Sequence, residues 1–232
     1  MTKRFSFWLL FAIGTATVVF NSCGNDEPEK KDPGVVIDGI RWATRNVATH
    51  GTFVDNPEDH GGLFQWGRRG DGHEQHNSLT TEMLSTSNVP GHGNFIITSA
   101  SPNDWRSPQN DALWNAGTET APIKAANDPC PPGWRVPTIV ELVTLRDSGS
   151  EWTTVNGVAG RQFGTAPNTI FLPAVGRRFN TGMIAGVGQV GYYWSSTVDG
   201  ILACDLYFNS RTVNRNFSSV RVRGVSVRCV AE

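Results

Sequence analysis

Charge is scarce in this sequence, and neither sign dominates it. Lys and Arg number 20 against 21 Asp and Glu, and charged residues make up only 18% of the chain. Without a basic excess there is nothing to hold a nucleic-acid backbone, which sets nucleic acid aside as a partner. No acidic run suggests a cation sponge or a disordered acidic tail. Internal repeats are missing, and cysteine is held to four positions. What is abundant is glycine, at 25 residues, and tryptophan, at 8, in a chain of 232. That balance suits short strands and structured loops better than long helices. The length fits one domain with a tail.

The chain begins with Lys3 and Arg4, followed by a nearly continuous apolar run from Phe5 to Phe20 and then Ser22-Cys23. A run this short is closer to a signal-peptide core than to a spanning helix, which needs about 20 residues. The cysteine directly after it resembles the lipobox of bacterial lipoproteins. The resemblance implies cleavage before Cys23 and a diacylglycerol on its thiol. Residues 1–22 are then a signal peptide and residues 23–34 an acylated, solvated tether, "CGNDEPEKKDPG". Two or more acyl chains hold a protein stably at a membrane. Asp26 and Glu27 resemble the acidic export signals of surface-exposed Bacteroidetes lipoproteins. The expected location is the outer membrane, lipid-anchored and facing the exterior.

With Cys23 acylated, Cys130, Cys204 and Cys229 remain. Three thiols in an exported domain allow one disulfide in three pairings. Cys130, in a Pro-flanked turn, and Cys229, in the last strand, are the expected pair. Cys204, in "ILACDLYF", reads as a small buried core residue.

Along residues 35–232, taken as a single domain, "VVIDGIRWATRNV" reads as a hairpin turning at Asp38-Gly39. "GLFQWG" reads as a strand, and residues 79–126 as ordered loops with a short helix near 111–116, pinned by Trp105 and Trp114. Thr138 followed by Glu141 fits a capping box and predicts a helix over about 138–147, with Gly149 as its stop. "TIFLPAVGRR", "GYYWSST", "LACDLYF" and "VRVRGVSVRCV" read as strands. In the last, valines alternate with Arg221, Arg223 and Arg228, which predicts an antiparallel sheet with one wet face.

"WATRNV", "GGLFQWGRR", "DPCPPGWRVPT", "IFLPAVGRR", "GYYWSST" and "VRGVSVRCV" occur in that order. Together they resemble the Fibrobacter succinogenes major paralogous domain, a family of exported proteins, over about residues 36–231. The resemblance implies an α+β, C-type lectin-like fold: a twisted antiparallel sheet, one or two short helices and long ordered loops. It also implies that the Trp-Arg-Val-Pro-Thr block opens a helix packed on the sheet, with the chain ends paired there. The block then reads as structural, with Trp134 buried and Arg135 donating to loop carbonyls.

Catalytic patterns are weak. "HEQH" lacks the HExxH spacing, and His60, His73, Glu74 and His76 read as a hydrated loop. Ser195 and Ser196 have no GxSxG elbow. Arg69-Gly70-Asp71 matches an integrin-binding tripeptide that recurs by chance. Asp104 offers one carboxylate, too little for a calcium ion. An oxidase of the formylglycine-generating type would need Cys204 and Cys229 as a redox pair, with Cys130 unpaired. The expectation is a non-catalytic head without metal or cofactor, binding an extracellular glycan or surface protein; a structural or pilus-associated subunit is the alternative. Its candidate ligand surface spans residues 50–126 and 177–190, with exposed aromatics such as Trp105 and Trp114 and with Arg177 and Arg178.

Overall fold

The computed structural model describes residues 1–2 and 31–232, apart from the side chains of residues 215–217. The candidate signal peptide, Cys23 and most of the tether lie outside the described residues. Asp32–Glu232 form one compact unit, and no described helix is long and apolar enough to cross a membrane.

The unit opens with β1 (Val35–Ile37), β2 (Ile40–Asn46), β3 (Phe64–Gln65), β4 (Thr80–Thr81), β5 (Phe95–Ile96) and β6 (Trp134–Arg135). The single described helix, α1, spans Ile139–Asp147. There follow β7 (Ser150–Val155), β8 (Val158–Thr165), β9 (Asn168–Pro173), β10 (Arg177–Arg178) and β11 (Ile184–Ala185). The chain closes with β12 (Val190–Asp199), β13 (Leu202–Asn209), β14 (Val213–Val220), β15 (Gly224–Val225) and β16 (Arg228–Ala231). This is a small α+β fold dominated by antiparallel sheet; among the described strands, β4 and β5 form the one parallel pair.

The first hairpin turns where Asp38 and Gly39 take positive φ values of 47° and 82°, as a two-residue turn matched to strand twist requires. β16 then inserts between β2 and β6, pairing Val230 with Trp42 and with Arg135. The two ends of the domain are thereby one sheet. Cys130 and Cys229 are joined by a disulfide across 99 residues, beside the same strands.

At α1 the Thr138 hydroxyl accepts from the Glu141 amide, and the Glu141 carboxylate accepts from the Thr138 amide. Glu141 also takes both Nη atoms of Arg135, at 2.8 and 2.6 Å. Arg135 therefore pairs chiefly with the capping carboxylate, rather than with loop carbonyls. Asp128 secures the approach to the helix. It accepts from the Cys130 and Val136 amides and from Lys124 Nζ, while Lys124 also donates to the Cys130 and Trp134 carbonyls. The Pro-flanked turn is thus fixed by a buried ion pair as well as by the bridge.

Strand β12 is buried on both faces. Tyr192 and Trp194 join a core with Trp66, Trp114, Trp134 and the disulfide. Tyr193 joins a second core with Trp42, Phe163, Phe208 and the helix residues Leu142 and Leu145. The expectation of one wet face fails for the C-terminal run. It breaks into β14, β15 and β16, and Arg221 and Arg228 are buried. Their heads are absorbed by backbone carbonyls: Arg228 donates to Ala43 O and Phe171 O, and Arg221 to Leu202 O and Gly200 O. Residues 111–116 form turns rather than a helix, with the Asn110 carboxamide accepting from the Ala112 amide and Asn115 bridged to Lys124. The expected "GLFQWG" strand is reduced to Phe64–Gln65. The hairpin of β7 and β8, which the sequence reading did not name, turns at Asn156-Gly157 with φ values of 48° and 84°, the same two-residue signal as Asp38-Gly39.

Candidate functional site

The loop surface expected to carry exposed aromatics does not do so at its two tryptophans. Trp105 and Trp114 are 0% and 1% exposed. The Trp105 indole donates to Trp66 O at 2.7 Å, and Trp114 packs 5.6 Å from the Trp66 ring. Burial of about 150–250 Å² per aromatic ring drives both inward, which matches their role as loop pins and removes them from the ligand surface. Arg178 is also buried, at 4% exposure. It donates to Gly182 O, Ser78 O and Ser78 Oγ, and its head stacks 4.3 Å from the Phe95 ring centre. It is a strut between the two loop segments, not a ligand contact. Only Arg177 of the four remains partly open to solvent.

The two loop segments do meet. The Thr98 amide donates to Asn180 O at 3.2 Å, and Asn180 Nδ2 donates to Thr98 O at 3.1 Å. Beside this seam lies an open cleft of about 390 Å³, lined by Glu82, Ile97, Thr98, Ala100, Asn180 and Thr181, with Ser99 completing the wall. Three apolar side chains next to these segments stand in solvent: Leu79 and Met83 at 76% exposure each and Met183 at 61%. The cleft offers hydroxyls, a carboxamide and one carboxylate, groups suited to hydrogen-bonding a polar ligand. Strands β4, β5 and β10 and the Arg178 strut position it.

The one described metal-like cluster is Asp71, His73 and Glu74. The expected hydrated loop is not found here: His73 and Glu74 are fully buried. His73 Nε2 accepts from the Gln65 amide at 3.0 Å, so Nδ1 carries the proton and donates to Asp71 at 2.8 Å. Burial pushes the His73 pKa down to about 4, against the opposing pull of Asp71. Glu74 accepts from the Asp71 and Gly72 amides and from the Thr49 hydroxyl. Every candidate ligand already has a partner, so the residues fit a structural polar core rather than a cation. Asp71 also holds Arg68, so the Arg-Gly-Asp carboxylate is engaged within the protein.

The remaining chemical candidates fall in similar places. Asp104 is buried, with its oxygens taken by the Arg106 amide and Gln109. Ser195 donates across the strand pair to Cys204 O at 2.8 Å. Cys204 itself is half-buried and free, 3.9 Å from its cross-strand neighbour Ser218, instead of sealed in a core. With Cys229 in the bridge, no Cys204–Cys229 redox pair exists. His60 and His76 stack at 6.3 Å at the surface.

Sequence reasoning did not find Asp205. It is fully buried on β13, and neither carboxylate oxygen has a hydrogen-bond partner. Burial raises its pKa to about 7, against smaller opposing effects of Ser219, Arg177 and Arg223. Ser219 is near enough to favour the charged form but makes no well-formed hydrogen bond to it. Both faces of β13 are covered, since Leu206 and Phe208 are buried in the second core, so alternation along the strand gives no sign of an inward acid.

Comparison with protein-family models, curated proteins and solved structures finds no match for this chain.

Proposed function

We propose that this chain is a cell-surface lipoprotein whose head binds a glycan or surface protein without catalysis. The head is read as a C-type lectin-like domain of the Fibrobacter succinogenes major paralogous type, carried outside the outer membrane on lipid at Cys23. The observation that supports binding is the cleft at the Thr98–Asn180 seam, where two separate loop segments converge beside solvent-exposed Leu79, Met83 and Met183. A rigid framework presenting loops is a common arrangement for recognition.

The same exposed apolar side chains favour a second reading, a structural or pilus-associated subunit whose loops meet other chains. Arrays of immobilised glycans and of surface proteins, probed with the full chain in detergent, separate the two. Ala100 is exposed on the cleft wall, so Ala100→Trp fills the cleft without entering the core. Array binding that this variant loses supports recognition at the cleft. Self-association without array binding supports assembly instead.

A further inference from the structure

Most arginines near the β10–β15 region have their heads held by acceptors of the protein. Arg178 and Arg228 each donate to two or more backbone carbonyls or side chains, and Arg221 donates to Leu202 O and Gly200 O and pairs through Nη1 with Asp111 at 2.7 Å. Arg177 breaks this pattern. Among the described residues it makes no hydrogen bond, and its Nη1 is a buried donor without an acceptor. Its guanidinium carbon instead lies 4.4 Å from the centre of the Tyr192 ring and 4.6 Å from that of Phe179. Arg223 approaches the same Phe179 ring at 6.0 Å, makes a single long contact to Ser219 Oγ at 3.4 Å, and leaves Nε without a partner.

Two half-buried cations therefore share one aromatic wall. The carboxylate facing both is Asp205, which bonds to neither. Unsatisfied buried donors are rare in folded proteins and call for a missing partner. A guanidinium packed against aromatic rings presents a rigid planar fork, and a planar carboxylate matches that fork with two parallel hydrogen bonds.

We propose that Arg177 and Arg223 seat a ligand carboxylate, from a small organic acid or an acidic sugar, against the Phe179–Tyr192 wall. This seat stands on its own geometry. Its failure would leave the cleft reading intact, because the cleft residues do not include Arg177, Arg223 or Asp205.

The test is an NMR titration of the full chain in detergent, with the arginine side-chain Nε–H groups labelled with nitrogen-15. The probes are glucuronate, glucose, propionate and sulfate. Saturable shifts of the Arg177 and Arg223 signals with a carboxylate, but not with glucose, support the seat. Response to glucuronate alone assigns the carboxylate to an acidic sugar; response to propionate as well assigns it to carboxylic acids in general. Arg177→Lys keeps the charge and loses the fork, and should weaken carboxylate binding at least tenfold. The proposal is overturned if neither carboxylate gives a saturable shift, if sulfate binds as well as the carboxylates, or if Arg177→Lys binds them like the natural protein. Should that variant fail to fold, the titration of the natural protein decides alone.

Discussion

Arg228 on β16 donates through Nε and Nη2 to Oδ1 of Asn46 on β2, at 3.0 and 2.8 Å, across 182 positions of sequence. The pair lies at full burial, and the other Arg228 contacts are the carbonyls of Ala43 and Phe171. Burial lowers the Arg228 pKa only to about 10, so the head is charged at neutral pH. Removing it leaves several buried acceptors without donors, each costing about 1–3 kcal/mol. Arg228→Ala should therefore lose about 3 kcal/mol or more in urea unfolding. Asn46→Ala should cost a similar amount, and the double variant less than the sum, because the two share one network. A strictly additive double variant would show that the contact contributes nothing as a pair.

The bridge makes a second long-range tie between the same regions. A loop of this size gives about 4–5 kcal/mol in the chain-entropy account, and Cys130 and Cys229 are 2% and 0% exposed. Replacing both by serine should lower stability by several kcal/mol in guanidinium unfolding. Reductant added to the folded natural protein should have little effect, since the sulfurs are shielded. Rapid loss of the bridge in native buffer would contradict that burial.

Asp205 gives a pH signature. Its pKa rises from 3.8 to about 7 on folding because burial penalises the charged form. The folded state then binds more protons than the unfolded state between those values, so stability falls as pH rises through that window. The effect is fully developed above about pH 7 and amounts to up to about 4 kcal/mol. Asp205→Asn should remove this slope: relative to the variant, the natural protein should weaken between pH 4 and pH 7. Parallel stability curves for the two proteins across that range would refute the assignment.

His73 predicts the behaviour toward metal. Both ring nitrogens are committed, one donating to Asp71 and one accepting from the Gln65 amide. A cation would have to displace both. Added zinc should leave the melting temperature unchanged, and chelator should do the same. A zinc-dependent rise of several degrees would show that the cluster is a site after all, since a ligand selective for the folded state stabilises it by mass action.

Features encoded by neighbours in sequence were the most legible, although the equally local Asn156-Gly157 turn of β7 and β8 was not picked out. The Asp38-Gly39 turn and the Thr138–Glu141 cap depend on residues at most three apart, so local chemistry was enough to place them. The pairing of Cys130 with Cys229 was readable because few thiols compete for it. The buried polar framework was not. Arg68 looks like a solvated loop residue until the carbonyls of His92 and Asn94 arrive from 24 and 26 positions away. Arg221 misleads because a charged side chain in an alternating strand reads as a wet face, and Arg178, read as a ligand contact, because its acceptors at Ser78 come from another segment. Trp105 and Trp114 sit in loops whose composition suggests exposure, yet their rings carry too much apolar area to leave outside. The candidate cleft was legible only as two loop segments; their meeting at Thr98 and Asn180 needs the fold.

The claim on which the proposed role rests is an exported, bridge-locked head carried on lipid. Intact mass spectrometry of the protein extracted from membranes without reductant, after alkylation of free thiols, tests it most directly. The account predicts a chain beginning at Cys23, with the mass of a diacylglycerol added there, one disulfide, and a single alkylated thiol at Cys204. A chain that retains residues 1–22 and an unmodified Cys23, or one that alkylates at Cys130 and Cys229 as well, would contradict it.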